Sequence, residues 1–304
     1  MLCPFCLEKT PSGQPTCRHC KETLPVMYLN THNRRRPPYI VSLVGFSGHG
    51  KTVYLASLLY TLQDRLTRVW PGFYRRGLSQ EAVDVLYENL KMLREGTLPE
   101  STRRNFPRPN IHELCNLPGK GDRQLLIYDP PGEAFYRDAS MQEYASFVSK
   151  AKVVLFLISL ADMAEPVSHE MRHLLEVYTL GMASMKAKKG QQHLVVVYTK
   201  ADLLLKRFEE RPELVSYLRQ SEESSIADVK RYRRNLAKIS DQLADFTLSD
   251  LGAHGFVGHA NSEFKSVSFC ALSSLGSAPI DGRLDVRMDP HRVIDPLMWV
   301  LEKA

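Results

Sequence analysis

Residues 45–52, Gly-Phe-Ser-Gly-His-Gly-Lys-Thr, constrain this chain most, because they fit the pattern G-x-x-x-x-G-K-[ST] in full. They follow a short apolar run, Tyr39 to Val44, and open a helical pattern that continues to Arg65. A glycine-rich turn between a strand and a helix lets several backbone N–H groups point at one anion, and the helix dipole adds to the attraction. The segment therefore predicts a phosphate-binding loop, in which Lys51 reaches the β- and γ-phosphates and Thr52 ligates Mg²⁺. The residues predicted to contact the nucleotide here are Ser47, Gly48, His49, Gly50, Lys51, Thr52 and Val53.

Buried-strand patterns alternate with amphipathic helical patterns from Tyr39 onward. This alternation predicts a doubly wound α/β domain over residues 39–304, with a mainly parallel sheet and inserted helices at about 203–262. In such sheets ligands bind beyond the carboxyl ends of the strands. The predicted strands are 39–44, 111–117, 123–128, 152–160, 193–198 and 266–271, and the predicted helices are 51–65, 79–93, 142–150, 170–188 and 292–302.

A second motif, Asp-Pro-Pro-Gly at 129–132, follows the apolar strand that ends at Tyr128. Asp129 is a candidate Mg²⁺ ligand, and Gly132 can present its N–H to the γ-phosphate without a side chain. Glu133 follows, and its carboxylate either orients the attacking water or faces solvent. Lys51, Gly132 and Glu133 are therefore the candidate catalytic residues.

A loop that senses the γ-phosphate is expected between the first helix and the next strand, at Gly96 to Arg104. Thr102 in that loop is the candidate for a further Mg²⁺ ligand, with Thr97 as the reserve. We expect the segments 96–108 and 130–145 to change conformation with the nucleotide state.

Thr-Lys-Ala-Asp at 199–202 follows another buried strand and predicts recognition of guanine. A carboxylate at Asp202 can accept hydrogen bonds from N1 and N2 of guanine, which adenine does not offer. The stem of Lys200 would pack on the base. The more common form of this motif is Asn-Lys-x-Asp. Thr199 supplies a hydroxyl in place of the asparagine amide, so the hydrogen bonds behind the site are expected to differ from those of the common form. The last strand ends in Cys270, Ala271 and Leu272, and we expect their backbone to contact the guanine oxygen.

Four of the six cysteines form two Cys-x-x-Cys pairs near the N-terminus, Cys3 with Cys6 and Cys17 with Cys20. Two such pairs complete a tetrahedral shell of four thiolates, which predicts a structural Zn²⁺ in a small ribbon over residues 1–25. Such a short segment, poor in large apolar residues, needs a metal to fold. Residues 26–38, which end in Pro37 and Pro38, are expected to be a linker.

Composition bears on the cellular location of the protein and on its possible partners. Hydrophobic residues make up 43% of the 304 residues, and the longest apolar run, Val153 to Leu160, is too short to span a bilayer. The N-terminus has no apolar signal core, so we expect a cytoplasmic location in which thiols stay reduced. A formal net charge of +6 is a mild excess that does not by itself indicate nucleic acid. Nucleic acid remains an open partner for the ribbon and for Arg34 to Arg36.

These motifs, in this order, resemble the TRAFAC class of GTPases over residues 39–304. The N-terminal cysteine pairs, the run Gly-Lys-Thr-Val-Tyr-Leu at 50–55 and Leu98-Pro99-x-x-Thr102 resemble, more narrowly, the bacterial double-GTPase family. That resemblance implies Mg²⁺-dependent binding and hydrolysis of GTP to GDP by a nucleotide-dependent switch. It also implies a role in conflict or antiviral defence systems beside a second GTPase-like protein. Two alternatives remain from the residues alone, a P-loop ATPase and a nucleotide-binding scaffold that hydrolyses little.

Overall fold

A seven-stranded sheet forms the centre of the chain, in strand order β2-β3-β4-β1-β5-β6-β7. The computed structural model describes residues 1–31, 36–99, 107–164, 166–220, 222–280, 283–284 and 288–304. The strands are β1 (Tyr39–Val44), β2 (Tyr74–Gly77), β3 (Asn110–Leu117), β4 (Gly121–Tyr128), β5 (Val153–Ile158), β6 (His193–Tyr198) and β7 (Ser266–Ala271).

Six strands run in one direction and β3 runs in the other. The pairs β4–β1, β1–β5, β5–β6 and β6–β7 are parallel, whereas β3 pairs antiparallel with both β2 and β4. The turn between β3 and β4 explains the reversal, because a tight turn with Gly119 at φ 70° and Gly121 at φ 63° is too short for a crossover. The predicted mainly parallel sheet is confirmed, with this hairpin as the addition.

β2 is an edge strand that the sequence did not predict. Its residues, Tyr-Arg-Arg-Gly, show no apolar alternation. Backbone pairing with β3 over four residues holds it to the sheet, and the Arg76 guanidinium also binds the Glu113 carboxylate of β3 at 2.6 Å. An edge strand with arginines is a poor template for pairing with another sheet.

Apolar side chains cover both faces of the sheet, as β5 illustrates. Its residues alternate strictly between two hydrophobic clusters, one on each face. Val154, Phe156 and Ile158 lie in the first cluster, and Val153, Leu155 and Leu157 lie in the second. This burial on both sides is what a doubly wound sheet requires.

Helices pack against these two faces. Their bounds are α1 (Val26–Thr31), α2 (Lys51–Asp64), α3 (Leu66–Val69), α4 (Gln80–Arg94), α5 (Asp138–Ala145), α6 (Val167–Ser184), α7 (Pro212–Arg219), α8 (Glu223–Ile226), α9 (Val229–Ser249), α10 (His254–Glu263) and α11 (Asp295–Lys303). Short 3₁₀ helices cover Gly132–Phe135, Ser146–Lys150 and Ala201–Phe208. Among the described helices, none combines the length and hydropathy that a bilayer crossing requires.

The segment predicted as a linker begins with helix α1. Its Tyr28 is fully buried, and the amide of Gln124 in β4 donates hydrogen bonds to the Tyr28 carbonyl (3.2 Å) and the Thr31 hydroxyl (2.9 Å). The part of the segment up to Thr31 is therefore packed against the sheet. Arg34 and Arg35 lie outside the described residues.

A buried polar cluster fastens the helices inserted between β6 and β7 to the C-terminal helix. Asp295 of α11 accepts hydrogen bonds from the hydroxyls of Tyr217 (2.7 Å) and Tyr232. The Arg292 guanidinium lies 3.5 Å over the Tyr217 ring, and the Glu222 carboxylate accepts from the Arg292 amide at 2.7 Å. Burial raises the pKa of Asp295 to about 6.

Candidate functional site

One cavity lies at the carboxyl ends of the parallel strands, and most of the predicted nucleotide residues meet there. Its volume is about 480 Å³, within the range of small-molecule sites. The lining residues are Ser47, Gly48, Gly50, Lys51, Thr52, Val53, Leu98, Pro99, Pro130, Gly132, Glu133, Thr199, Lys200, Asp202, Leu203, Ser273, Ser274, Leu275, Ser277, Ala278 and Pro279.

The phosphate loop is shaped by its glycines and by the end of β5. Gly48 (φ 86°) and Gly50 (φ 78°) both adopt left-handed backbone, which glycine takes without a steric penalty. A Cβ at Gly45 would lie 2.6 Å from the Leu157 carbonyl oxygen, so no larger residue fits there. The same carbonyl oxygen lies 3.0 Å from Nδ1 of His49.

The His49 side chain is buried behind the loop and is not among the residues that line the cavity. Burial lowers the pKa of His49 to about 4, so the ring is neutral at physiological pH. A neutral imidazole with its Nδ1 proton can donate to the Leu157 carbonyl. His49 therefore supports the shape of the loop through its side chain.

Lys51 is held across the loop by two backbone carbonyls. Its Nζ donates to the carbonyls of Gly45 (2.8 Å) and Phe46 (2.9 Å). Burial lowers the pKa of this ammonium to about 8, against the attraction of Asp129 and Glu133. An anion at the loop would recover the electrostatic stabilisation that the buried cation lacks.

Thr52 and Asp129 form the candidate magnesium site. The Thr52 hydroxyl donates to Oδ2 of Asp129 across 2.7 Å, although the two residues belong to different elements. Hydroxyl and carboxylate oxygens are ligands that Mg²⁺ prefers, so the pair fits that ion. The third predicted ligand, Thr102, lies outside the described residues. The reserve, Thr97, donates its hydroxyl to the Met92 carbonyl at the end of α4 (3.0 Å).

Gly132 packs directly on the phosphate loop. A Cβ placed on it would lie 2.2 Å from the Ser47 nitrogen, a distance that no side chain can occupy. Glu133, next in the chain, lines the cavity. Beyond it, the ring of Tyr136 stacks on Phe46 of the loop at 5.1 Å between centroids. The segment after Asp129 is thus in contact with the phosphate loop at two places.

The motif at 199–202 contributes three residues to the lining of the same cavity. Lys200 adopts left-handed backbone (φ 54°), and its Nζ binds the Asp162 carboxylate at 2.7 Å. Asp202 lines the cavity with Lys200. The Thr199 hydroxyl donates to the His49 carbonyl across 3.1 Å. The Thr199 hydroxyl therefore bonds the motif to the phosphate loop, at the position where the common form of the motif has an asparagine amide.

The loop after β7 lines the cavity later in the chain than the sequence predicted. The structure does not bring Cys270, Ala271 or Leu272 to the cavity, because all three are buried at the end of the strand. The lining begins instead at Ser273 and Ser274. Because apolar residues continue to Leu272, the sequence does not reveal that the cavity lining begins only at Ser273.

Two apolar segments flank the cavity and were not predicted as site residues. Leu98 and Pro99 follow α4, and Ala278 and Pro279 belong to the loop after β7. This loop returns on itself, since Ser273 and His291 exchange two backbone hydrogen bonds, of 3.0 and 2.8 Å. It also reaches the segment after α4, where the Leu284 amide donates to the Gly96 carbonyl at 2.8 Å. Apolar walls of this kind suit the faces of a planar base.

The four N-terminal cysteines form a separate candidate metal centre. Their sulfurs all lie within 4.8 Å of one another, and the Cys3–Cys20 and Cys6–Cys17 pairs are each 3.7 Å apart. Two sulfurs bound to one tetrahedral Zn²⁺, with bonds of about 2.3 Å, lie roughly 3.8 Å apart. The four thiols are thus placed to fit that ion.

The two cysteine pairs sit in turns of the same construction. The residue after each second cysteine, Leu7 or Lys21, has a positive φ, of 57° and 61°. Its amide donates to the carbonyl of the first cysteine, Cys3 (2.9 Å) or Cys17 (3.1 Å). Repetition of one turn explains how two separated pairs present four sulfurs to a single point.

Comparison with known proteins identifies a family. The sequence profile of the family described as Double-GTPase 2 matches residues 39–266. That match covers the phosphate loop, residues 129–132 and residues 199–202, and it ends before the loop after β7. No curated protein sequence matched the chain.

The solved structures that matched the chain share little sequence with it. The GTP-bound Ski7 GTPase-like domain of S. cerevisiae has 14% identity and a TM-score of 0.36, over 87% of this chain and 50% of that one. The SRb-GTP/SRX complex of the signal recognition particle receptor from Chaetomium thermophilum has 14% identity and a TM-score of 0.37, over 80% and 94%. The GDP-bound small COPII coat GTPase SAR1 from Encephalitozoon cuniculi has 11% identity and a TM-score of 0.31, over 87% and 80%. The chain spans half the length of the Ski7 chain.

Proposed function

The chain belongs to the Double-GTPase 2 family of P-loop GTPases, and we propose that it binds GTP in the cavity described above, hydrolyses it with Mg²⁺ and acts as a nucleotide-dependent switch. The observation that carries the proposal is that Lys51 and Asp202 both line one cavity. One residue suits the phosphates and the other suits guanine, so a single ligand can satisfy both.

On the phosphate side, the backbone N–H groups of residues 47–52 and the Lys51 ammonium would bind the β- and γ-phosphates. Thr52 and Asp129 would hold Mg²⁺, which when bound neutralises charge on the phosphate oxygens. Val53, next to Thr52, lines the same end of the cavity. Thr102 stays a predicted further ligand.

On the base side, Asp202 would accept two hydrogen bonds from guanine, and the Lys200 stem would cover one face of the ring. The ion pair with Asp162 supports this role, because it holds Lys200 in place beside the cavity. The Ser274 N–H is our candidate donor to the guanine oxygen, because the Ser273 N–H already donates to the His291 carbonyl. It would take the role predicted for Cys270, Ala271 and Leu272.

Hydrolysis would depend on the contact between Gly132 and the phosphate loop. The Gly132 N–H is the group we assign to the γ-phosphate, and Glu133 beside it is the candidate for orienting the attacking water. Loss of the γ-phosphate would then release the segment after Asp129 from the loop. That release is the proposed switch.

A titration with guanine and adenine nucleotides distinguishes the proposed GTPase from a P-loop ATPase. We expect Asp202→Asn to weaken GTP and GDP binding by roughly 10- to 100-fold and to leave ATP binding unchanged, since only guanine uses the carboxylate. Fluorescent guanine and adenine nucleotides measure both affinities. Equal affinity of the unaltered protein for GTP and ATP would favour the ATPase. Tight GTP binding without turnover would favour the scaffold.

The four-cysteine module, residues 1–25, would hold one structural Zn²⁺ through Cys3, Cys6, Cys17 and Cys20. All four positions are protein thiols, so the shell leaves no open position for a substrate. The 3.7 Å sulfur separations support this assignment.

The family resemblance further suggests a place in bacterial conflict or antiviral defence, with a second GTPase-like protein as partner. Phage challenge of a strain that carries the gene cluster tests this role. We expect protection to be lost with Asp202→Asn and with deletion of the partner gene. Undiminished protection in both strains would contradict it.

A further inference from the structure

The four-cysteine module is fastened to the GTPase domain at the residue just before the candidate magnesium ligand. The Tyr128 hydroxyl donates to the carbonyl of Pro4, which lies between Cys3 and Cys6, across 2.5 Å. Tyr128 is the last residue of β4, and Asp129 follows it directly. The residue that contacts the cysteine module is therefore the chain neighbour of the residue whose carboxylate meets Thr52.

Tyr128 is well suited to transmit a displacement. Its ring is fully buried and stacks on Phe147 at 4.5 Å between centroids, with an angle of 13° between the planes. A buried carbonyl that loses its donor is left without a hydrogen bond, so Pro4 and Tyr128 are expected to move together.

Other contacts hold the module to the neighbouring surface. Glu22 pairs with Arg108 (3.2 Å), whose guanidinium also lies 5.6 Å over the Phe5 ring, and Glu8 pairs with Lys150 (3.1 Å). These side chains are about half exposed, so each ion pair contributes little. The buried hydrogen bond to Tyr128 is the contact that can carry a specific effect.

We propose that Tyr128 is a positioning residue through which the metal-bound state of the cysteine module sets the place of Asp129, and so the affinity of the site for Mg²⁺ and guanine nucleotide. This inference rests on the proposed function. It assigns to the module a regulatory effect on the nucleotide site in addition to its own folding.

A second tyrosine provides a matched control. Tyr28 is also fully buried, and its hydroxyl donates to the Leu2 carbonyl, on the other side of Cys3, across 2.7 Å. Tyr28 lies in α1, away from Asp129 in the chain. Removal of either hydroxyl weakens the attachment of the module, but only removal at Tyr128 alters a residue bonded to Asp129.

The experiment measures the coupling in both directions on the full chain. In one arm, the affinity for fluorescent GDP at fixed Mg²⁺ is compared between zinc-bound protein and protein treated with a zinc-selective chelator. In the other arm, the equilibrium transfer of zinc to a chromophoric chelator is compared with and without saturating GDP at the same fixed Mg²⁺. Thermodynamic linkage requires the same factor in both arms at equilibrium, and we expect roughly 3- to 10-fold.

The variants then locate the coupling. We expect Tyr28→Phe to keep the factor of the unaltered protein and Tyr128→Phe, which retains the ring, to reduce it to about one. A factor unchanged by Tyr128→Phe, or a factor of about one in the unaltered protein, would overturn the inference. If Tyr128→Phe does not fold, the two arms on the unaltered protein decide, since equal factors above one support coupling and factors of one exclude it.

The same measurements separate this inference from the function on which it rests. Failure of the zinc-bound protein to bind GDP or GTP with Mg²⁺ would contradict the proposed function and this inference with it. Tight nucleotide binding that ignores zinc would contradict this inference alone.

Discussion

The hydroxyl of Thr199 donates a hydrogen bond to the backbone carbonyl of His49 across 3.1 Å, which ties the base-reading motif to the phosphate loop. Thr199 is almost fully buried, so water does not replace this bond when it is lost. The two ends of the nucleotide site are thereby held at a fixed separation.

Loss of that hydrogen bond should weaken the binding of GTP and GDP to the same extent. We expect Thr199→Val, which keeps the shape and removes the hydroxyl, to lower the affinity for GTP and GDP by roughly 3- to 10-fold. Thr199→Ser retains the hydroxyl and should stay within about twofold of the unaltered protein. Titration with fluorescent GDP measures both, and wild-type affinity in the valine variant would remove the role of the bond.

Gly132 is placed where no side chain fits. We expect Gly132→Ala to push the segment after Asp129 off the phosphate loop and to reduce GTP turnover by about 10- to 100-fold. Phosphate release under saturating GTP measures the effect. The matched control is Gly255→Ala in α10, where a Cβ meets nothing within 4 Å. Equal turnover in the two variants would show that the close contact with Ser47 is irrelevant to hydrolysis.

Lys51 predicts how nucleotide affinity depends on pH. Its pKa of about 8 in the free protein should rise when phosphates bind, so binding takes up a proton above pH 8. Affinity for GDP should therefore fall as pH rises from about 8 to 9.5, a range in which the phosphates of GDP are already ionised. Lys51→Ala should bind more weakly and lose this component of the slope. An identical slope in both proteins would assign the effect to another group.

The cysteine module should bind one zinc ion per chain. Cys17→Ser removes one of four ligands and is expected to lower the zinc content to near zero and to unfold residues 1–25. Cys115→Ser is the control, because Cys115 is a buried cysteine of β3 outside the cluster. Elemental analysis of purified protein gives the stoichiometry. Full zinc content in Cys17→Ser would exclude the four-thiolate site.

Asp295 should make folding stability depend on mildly acidic pH. Its folded pKa of about 6 lies above the ordinary 3.8, so its contribution is complete below about pH 4 and is lost as pH rises through 6. That loss is on the order of 3 kcal/mol. Urea unfolding at pH 4 and 7 should show that the stability of the unaltered protein, relative to Asp295→Asn, decreases with pH. A constant difference would mean that Asp295 titrates normally.

Much of the fold could be read from the sequence because buried strands carry a strong apolar signal. β7 was predicted with the bounds Ser266–Ala271 that the structure has. Direction was harder, since β3 and β4 look alike in sequence whether they are parallel or antiparallel. β2 was missed because its four residues show no apolar alternation and its partner β3 lies more than 30 residues away in the chain.

The site was predicted most completely where one short segment carries the geometry. The phosphate loop and Asp202 lie at the cavity as expected, because each directly follows a strand end. The loop after β7 was placed too early, at Cys270 rather than Ser273, because apolar residues continue past the end of the strand. The walls formed by Leu98 and Ala278 depend on tertiary pairing, which no local pattern reveals.

The Leu157 carbonyl at the end of β5 lies against Gly45 and within 3.0 Å of His49, while Lys51 already spans the loop. The chain thus fixes the conformation of its anion-binding backbone from within, by contacts that do not involve a ligand. An arriving phosphate meets a preorganised receptor, and little conformational entropy remains to be lost on binding. The specificity of the phosphate end is therefore settled during folding, before any nucleotide is encountered.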